Sequence, residues 1–162
     1  TSTKILDTRK TTPGIRFLEK EAVTIGGGKN HRMGLYDMIM IKDNHVDFSG
    51  GISIAIDKAN EYIKNNKLDI KIEVEVRDFE ELDVVLNKGN VHRIMLDNFC
   101  VSDLKEAVKK INKQYETEAS GGINEKTIVN YAETGVDFIS VGALTHTVKN
   151  FDISLIAKPH EQ

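Results

Sequence analysis

Short apolar runs recur along the chain, each followed by a polar cluster and then by a helical stripe. Lys4 to Asp7 predicts a first strand, closed by Thr8, Arg9 and Lys10. Thr12 followed by Pro13 predicts a capped helix start, with Ile15, Leu18 and Ala22 as its apolar stripe and Gly26 as its stop. Lys29 to Leu35 predicts a loop, and Met38 to Lys42 a second strand, apolar on both faces. After a polar stretch from Asp43 to Gly51, Ile52, Ile56, Ala59 and Ile63 mark a long helix. Ile70 to Val76 predicts a third strand, with Ile72, Val74 and Val76 alternating against Lys71, Glu73 and Glu75.

The same alternation continues to the end. A helix from about Phe79 to Leu86 stops at Gly89, and Arg93 to Leu96 is a fourth strand ended by Asp97 and Asn98. Leu104, Val108 and Ile111 form a helix after a Ser102 cap. Thr117 to Ala119 is a fifth strand ended by Ser120, Gly121 and Gly122. Ile128, Val129 and Ala132 form a helix stopped by Gly135, and Phe138 to Val141 is a sixth strand ended by Gly142. Strands alternating with helices predict a parallel sheet in an α/β fold. The repeated grammar of an apolar strand with a polar C-terminal end favours a parallel (β/α) barrel, incomplete at six units, over an open doubly wound sheet.

Composition narrows the setting. A chain of 162 residues, 40% hydrophobic and 29% charged, suits one globular domain with a real core. The net charge of −3 argues against non-specific nucleic-acid binding. The apolar runs are too short to span a bilayer, and one cysteine, Cys100, excludes a disulfide framework; a cytoplasmic protein is expected. Cys100 is expected to be a small buried apolar residue. The chain begins at Thr1 rather than Met, so it is expected to be part of a longer protein.

Barrel strands present their C-terminal ends on one face. Arg9, Lys10 and Lys42 lie at adjacent ends there, with His31 and Arg32 in the intervening loop. Most charges are solvated surface groups, but five cations at element boundaries within residues 7–45 point to a pocket for an anion bearing several negative groups. Glu75 and Asp97 lie at the next two ends. Ser120-Gly121-Gly122 and Gly142 lie at the last two, where glycines let backbone N–H groups approach a phosphate. Two carboxylates without a Cys/His cluster point to Mg²⁺ rather than Zn²⁺.

DTRKTTPG, GGGKNHRMGLYDMIMIKDNH, EVEV, LDN, ASGGIN and ISVGALTH, in this order, resemble the C-terminal barrel domain of the quinolinate phosphoribosyltransferase family. The resemblance implies a pentosyltransferase. Quinolinate and phosphoribosyl pyrophosphate would give nicotinate mononucleotide, pyrophosphate and CO₂, with Mg²⁺, in NAD biosynthesis. It implies that Arg9, His31, Arg32 and Lys42 hold the two quinolinate carboxylates and that Lys10 lies near the pyrophosphate or the reacting centre. Glu75 and Asp97 would engage the ribose hydroxyls and Mg²⁺, directly or indirectly, with Glu73 as the alternative to Glu75. Ser120, Gly121, Gly122 and Gly142 would cradle the 5′-phosphate. It further implies an N-terminal domain ahead of residues 1–162, a homodimer or higher homo-oligomer, and little activity for these residues alone. Asn98 and His146 are expected behind the site, Asn44 and His45 to support Lys42, and His92 and His160 at the surface. The competing readings are a relative taking another aromatic acid and a non-catalytic barrel piece.

Overall fold

The computed structural model describes residues 1–149 and 152–158. Its strands are β1 (Lys4–Leu6), β2 (Met38–Ile41), β3 (Lys71–Val76), β4 (Arg93–Asp97), β5 (Glu116–Ser120) and β6 (Phe138–Ser140). All pairings are parallel, in the order β1-β6-β5-β4-β3-β2. Strands therefore neighbour one another in chain order, with β6 returning to β1. That is a strip of a barrel; a doubly wound sheet would place an early strand in the middle.

The break lies between β1 and β2, and an irregular segment occupies it. Lys29 forms a parallel bridge with Leu6: its N–H donates to Ile5 O at 2.8 Å, and its carbonyl accepts from Asp7 N at 3.2 Å.

Period-two alternation sorts the strand residues into two layers. Ile72, Val74, Val76, Ile94, Leu96, Ala119 and Ile139 face outward and build the apolar core against the helices. Glu73, Arg93 and Glu118 come from alternate positions, face the barrel axis and are also buried. The interior is thus charged, and the apolar core is the shell around it.

The helices are α1 (Arg16–Ile25), α2 (Asp43–Ser49), α3 (Ile52–Asn66), α4 (Phe79–Lys88), α5 (Val101–Ile111), α6 (Ile128–Ala132) and α7 (Ala143–His146). The α4 cap follows the expected chemistry, with Asp78 Oδ1 accepting from Glu81 N at 2.8 Å. No described helix is long and apolar enough to cross a membrane.

Five expectations change. Thr12 does not cap α1, because Gly14 at φ +83° makes a turn and the helix starts at Arg16. The Ile15–Leu18–Ala22 stripe is not the packed face of α1; Leu18 is 59% exposed, and the buried residue is Lys20. The polar stretch after β2 contains α2, and His45 Nδ1 accepts from Lys42 N at 2.9 Å at its start. Cys100 is exposed at the N-terminal end of α5 rather than buried, and Ser102 lies inside that helix. His92 is exposed as expected, and His160 lies outside the described residues.

Candidate active site

A cavity of about 330 Å³ opens at the C-terminal ends of the strands. It is lined by Thr8, Arg9 and Lys10 after β1, by His31 and Arg32 from the gap segment, and by Met40 and Lys42 of β2 and its end. Met95, Glu118, Ser120 and Ser140 complete it from β4, β5 and β6. The five cations of residues 7–45 therefore converge, although they come from three separate segments.

His31 is buried, Arg9, Arg32 and Lys42 are half-buried, and Lys10 is exposed. Arg32 donates to Met38 O at 3.2 Å and approaches Met40 Sδ at 3.6 Å. Burial and the neighbouring Arg9 charge press Arg32 below the ordinary guanidinium value. Arg9 Nε is buried without a hydrogen-bond partner. Like charges held together, one with an unused donor, form a site that gains from receiving an anion.

Below the cations lies a buried ionic cluster. His31 Nε2 sits 3.0 Å from Glu73 Oε2 and 3.4 Å from Glu118 Oε2. Arg93 donates to Glu118 Oε2 at 2.9 Å and reaches Glu116 at 3.1 Å, while its guanidinium lies 4.1 Å above the Phe138 ring. Burial lowers the His31 pKa, but Glu118 and Glu73 outweigh it and raise it to about 9. Glu73 is pushed up to about 7 by burial and by Glu118. His31 Nδ1 accepts the Arg32 N–H at 2.7 Å, which leaves Nε2 to face the two carboxylates.

Both shifts are upward from the ordinary values of 6.5 and 4.5. The cluster's contribution to stability is therefore complete below about pH 4.5 and is lost as pH rises through about 7 and 9. The thermal midpoint is expected to fall between pH 6.5 and 9, by a loss on the order of 2 kcal/mol. A His31→Gln chain should show a flatter profile, and differential scanning calorimetry across that range reads both.

Three potential metal-ligand atoms of His31, Glu73 and Glu118 lie within 4.8 Å of one another. Arg93 already occupies Glu118 Oε2, and its charge opposes a cation there. Glu75 and Asp97 are the other carboxylates that could hold a cation. They follow Glu73 and Met95 by two residues on their strands and so lie nearer the C-terminal face. They offer carboxylate oxygens, which suit Mg²⁺. Glu75 is paired with Lys42, and Asp97 Oδ2 accepts from Asn98 Nδ2 at 2.6 Å. The carboxylate at the rim is thus Glu75, with Glu73 one layer deeper.

Of the expected phosphate cradle, Ser120 lines the cavity. Gly121 (φ +100°) is packed against Asn98, whose side chain a Cβ would overlap. Gly142 immediately precedes α7, and a Cβ there would meet His146 Nε2 at 2.9 Å and Lys10 Cδ at 3.8 Å. Asn98 and His146 thus sit behind the glycines. Met40, Met95 and Glu118 were not singled out from the sequence. Period-two alternation in MIMI, RIMLD and ETEAS was the available signal for their inward aim.

Residues 1–156 match the family model of the quinolinate phosphoribosyl transferase C-terminal domain. The chain is 52% identical to "Quinolinate phosphoribosyltransferase [decarboxylating] 2b, mitochondrial" of Nicotiana tabacum, over 93% of this chain and 47% of that protein. It is 50% identical to the chloroplastic nicotinate-nucleotide pyrophosphorylase [carboxylating] of Arabidopsis thaliana, over 93% and 47% of the two chains. The solved nicotinate-nucleotide pyrophosphorylase of Francisella tularensis superposes with a TM-score of 0.85 at 45% identity, covering 91% of this chain and 51% of that one. The chain spans about half the length of the curated relatives it matches.

Proposed function

The chain belongs to the quinolinate phosphoribosyltransferase family, in the C-terminal domain of that family, and on that premise we propose that the protein transfers the phosphoribosyl group of phosphoribosyl pyrophosphate to quinolinate, with loss of CO₂. The observation that carries this reading is the convergence of Arg9, Lys10, Arg32 and Lys42 on one cavity, with the Arg9 Nε donor unused. A ring with two adjacent carboxylates would offer that cavity two negative charges, and guanidinium groups bind carboxylates in a paired geometry. Arg9, Arg32, Lys42 and the His31 edge hold the dicarboxylate in this reading, over the apolar Met40 and Met95.

Lys10 stands next to Gly142 and takes the phosphate side of the cavity. Its charge favours departure of pyrophosphate, whose C1′–O bond breaks with the electron pair going to oxygen. The ring nitrogen lone pair forms the new C1′–N bond. Glu75 and Asp97 bind the ribose hydroxyls and stabilise the positive charge that develops at C1′. Ser120, Gly121, Gly122 and Gly142 receive the 5′-phosphate through backbone N–H groups. The ribosylated nitrogen is then positive. The bond from the adjacent carbon to its carboxylate breaks, CO₂ leaves, and the electron pair left on carbon takes a proton. Glu75 and Asp97 would hold Mg²⁺, directly or through water, and the ion would supply positive charge against the departing pyrophosphate.

A homodimer in the cytoplasm completes the proposal; the exposed apolar Phe17, Leu35 and Tyr36 support assembly. A relative specific for a monocarboxylate would need fewer cations than this cavity holds. Calorimetric titration with quinolinate and with nicotinate separates the two readings. Quinolinate is expected to bind at least tenfold tighter; equal affinities would overturn the assignment of substrate.

A further inference from the structure

His31 and Arg32 line the cavity but belong to no helix or strand. A barrel residue is normally fixed by hydrogen bonds to two neighbouring strands. These two are fixed by another device. Asp7 points outward from the end of β1, Lys20 points inward from α1, and both are wholly buried. Lys20 Nζ lies 2.5 Å from Asp7 Oδ1. The pair also reaches the gap segment from both sides. Asp7 Oδ1 accepts the His31 N–H at 2.8 Å, and Lys20 Nζ donates to the His31 carbonyl at 3.0 Å. With its amide oriented to suit its neighbours, Asn30 donates to Asp7 Oδ2 at 2.6 Å and to the Lys20 carbonyl at 2.8 Å. From the barrel interior, Glu73 and Glu118 hold the His31 ring, whose Nδ1 receives the Arg32 N–H.

A buried ion pair adds little net stability, because desolvation offsets its attraction. Apolar side chains of the same volume would pack α1 on β1 at least as well. They would not supply one acceptor and one donor to the backbone of residue 31. We propose that the Lys20–Asp7 pair is a positioning device for the dicarboxylate subsite: it holds Asn30–His31 beside β1 where a strand would otherwise lie, and so sets Arg32 against β2. This rests on the reading of the cavity as a dicarboxylate site. Neither residue touches the cavity, and both act through His31 and Arg32.

The test replaces the pair without stranding a charge, as Asp7→Leu with Lys20→Met. A second variant, Asn30→Ala, removes the two Asn30 hydrogen bonds of the clamp at an exposed position and leaves the core intact. The double variant is expected to keep its thermal midpoint within a few degrees and to bind quinolinate at least tenfold more weakly. Asn30→Ala should weaken binding about threefold. The polar pair Asp7→Asn with Lys20→Gln, which keeps an acceptor and a donor, should restore affinity to within about threefold of the natural chain. Amide hydrogen exchange gives a reading independent of ligand. The His31 amide should exchange at least tenfold faster in the double variant and in Asn30→Ala, with the β4 amides unchanged. Unchanged affinity and exchange at His31, or equal acceleration at His31 and β4, would overturn the proposal. If the natural chain binds no quinolinate, the dicarboxylate reading fails, and the exchange comparison still decides whether the pair positions residue 31. Should the double variant not fold, the same two readings on Asn30→Ala decide it.

Discussion

Arg32→Ala is expected to weaken quinolinate binding at least a hundredfold while leaving the thermal midpoint almost unchanged. The two effects separate because the guanidinium does little for the fold. Its protein contacts are one carbonyl, Met38 O, and one sulfur, Met40 Sδ. Met40 lines the cavity, and neither contact leaves a charged partner behind when the guanidinium is removed. Its contribution to a bound carboxylate is larger. The cavity is partly desolvated, Arg9 stands close enough to depress the Arg32 pKa, and a carboxylate between them relieves that repulsion. Removing one partner of a desolvated, hydrogen-bonded charge pair costs about 2–5 kcal/mol. At about 1.4 kcal/mol per tenfold, a loss of 3 kcal/mol is already about a hundredfold. Calorimetry on the natural chain and the variant measures it. A drop of less than fivefold would show that Arg9 and Lys42 hold the ligand without Arg32.

Arg93→Met is expected to produce the largest loss of stability of any single substitution in the barrel interior. Arg93 is the cation that balances Glu118 and, from further off, Glu73, both wholly buried. Methionine fills much of the same volume but removes the charge, its hydrogen bonds to Glu116 and Glu118 and its cation–π contact with Phe138. Breaking a buried pair by removing one partner costs about 3–5 kcal/mol. For a chain of this size that is roughly a 10 °C fall in midpoint. The loss should shrink in mild acid. Without Arg93 the folded pKa values of Glu118 and Glu73 rise, so the folded state binds protons more readily than the unfolded chain, and stability recovers as pH falls toward 5. A natural-like midpoint at pH 7.5 would mean that His31 alone balances both carboxylates.

The pattern of apolar and polar positions carried most of the fold. Alternation within IEVEV, RIMLD and ETEAS determined which residues face the helices, and all six strands begin within one residue of where the pattern places them. It also placed Arg9, Lys10, Lys42, Glu75, Asp97 and Ser120 at strand ends. These features are local: each follows from the period of one element and the chemistry of the residue that ends it.

The sequence was silent where the decisive partner is distant in the chain. Lys20 reads as a solvated helix charge. Only the approach of α1 to β1 turns it into the partner of Asp7, thirteen residues earlier, and frees Leu18 to face outward. Glu118 reads as an ordinary strand polar residue. The curl of the sheet buries it beside His31 and Arg93. Cys100 reads as a core residue and lies outside. Periodicity tells which face of an element a residue occupies. What that face meets depends on how the elements pack, and for a charged side chain that meeting decides whether it is solvent-facing surface or part of the site.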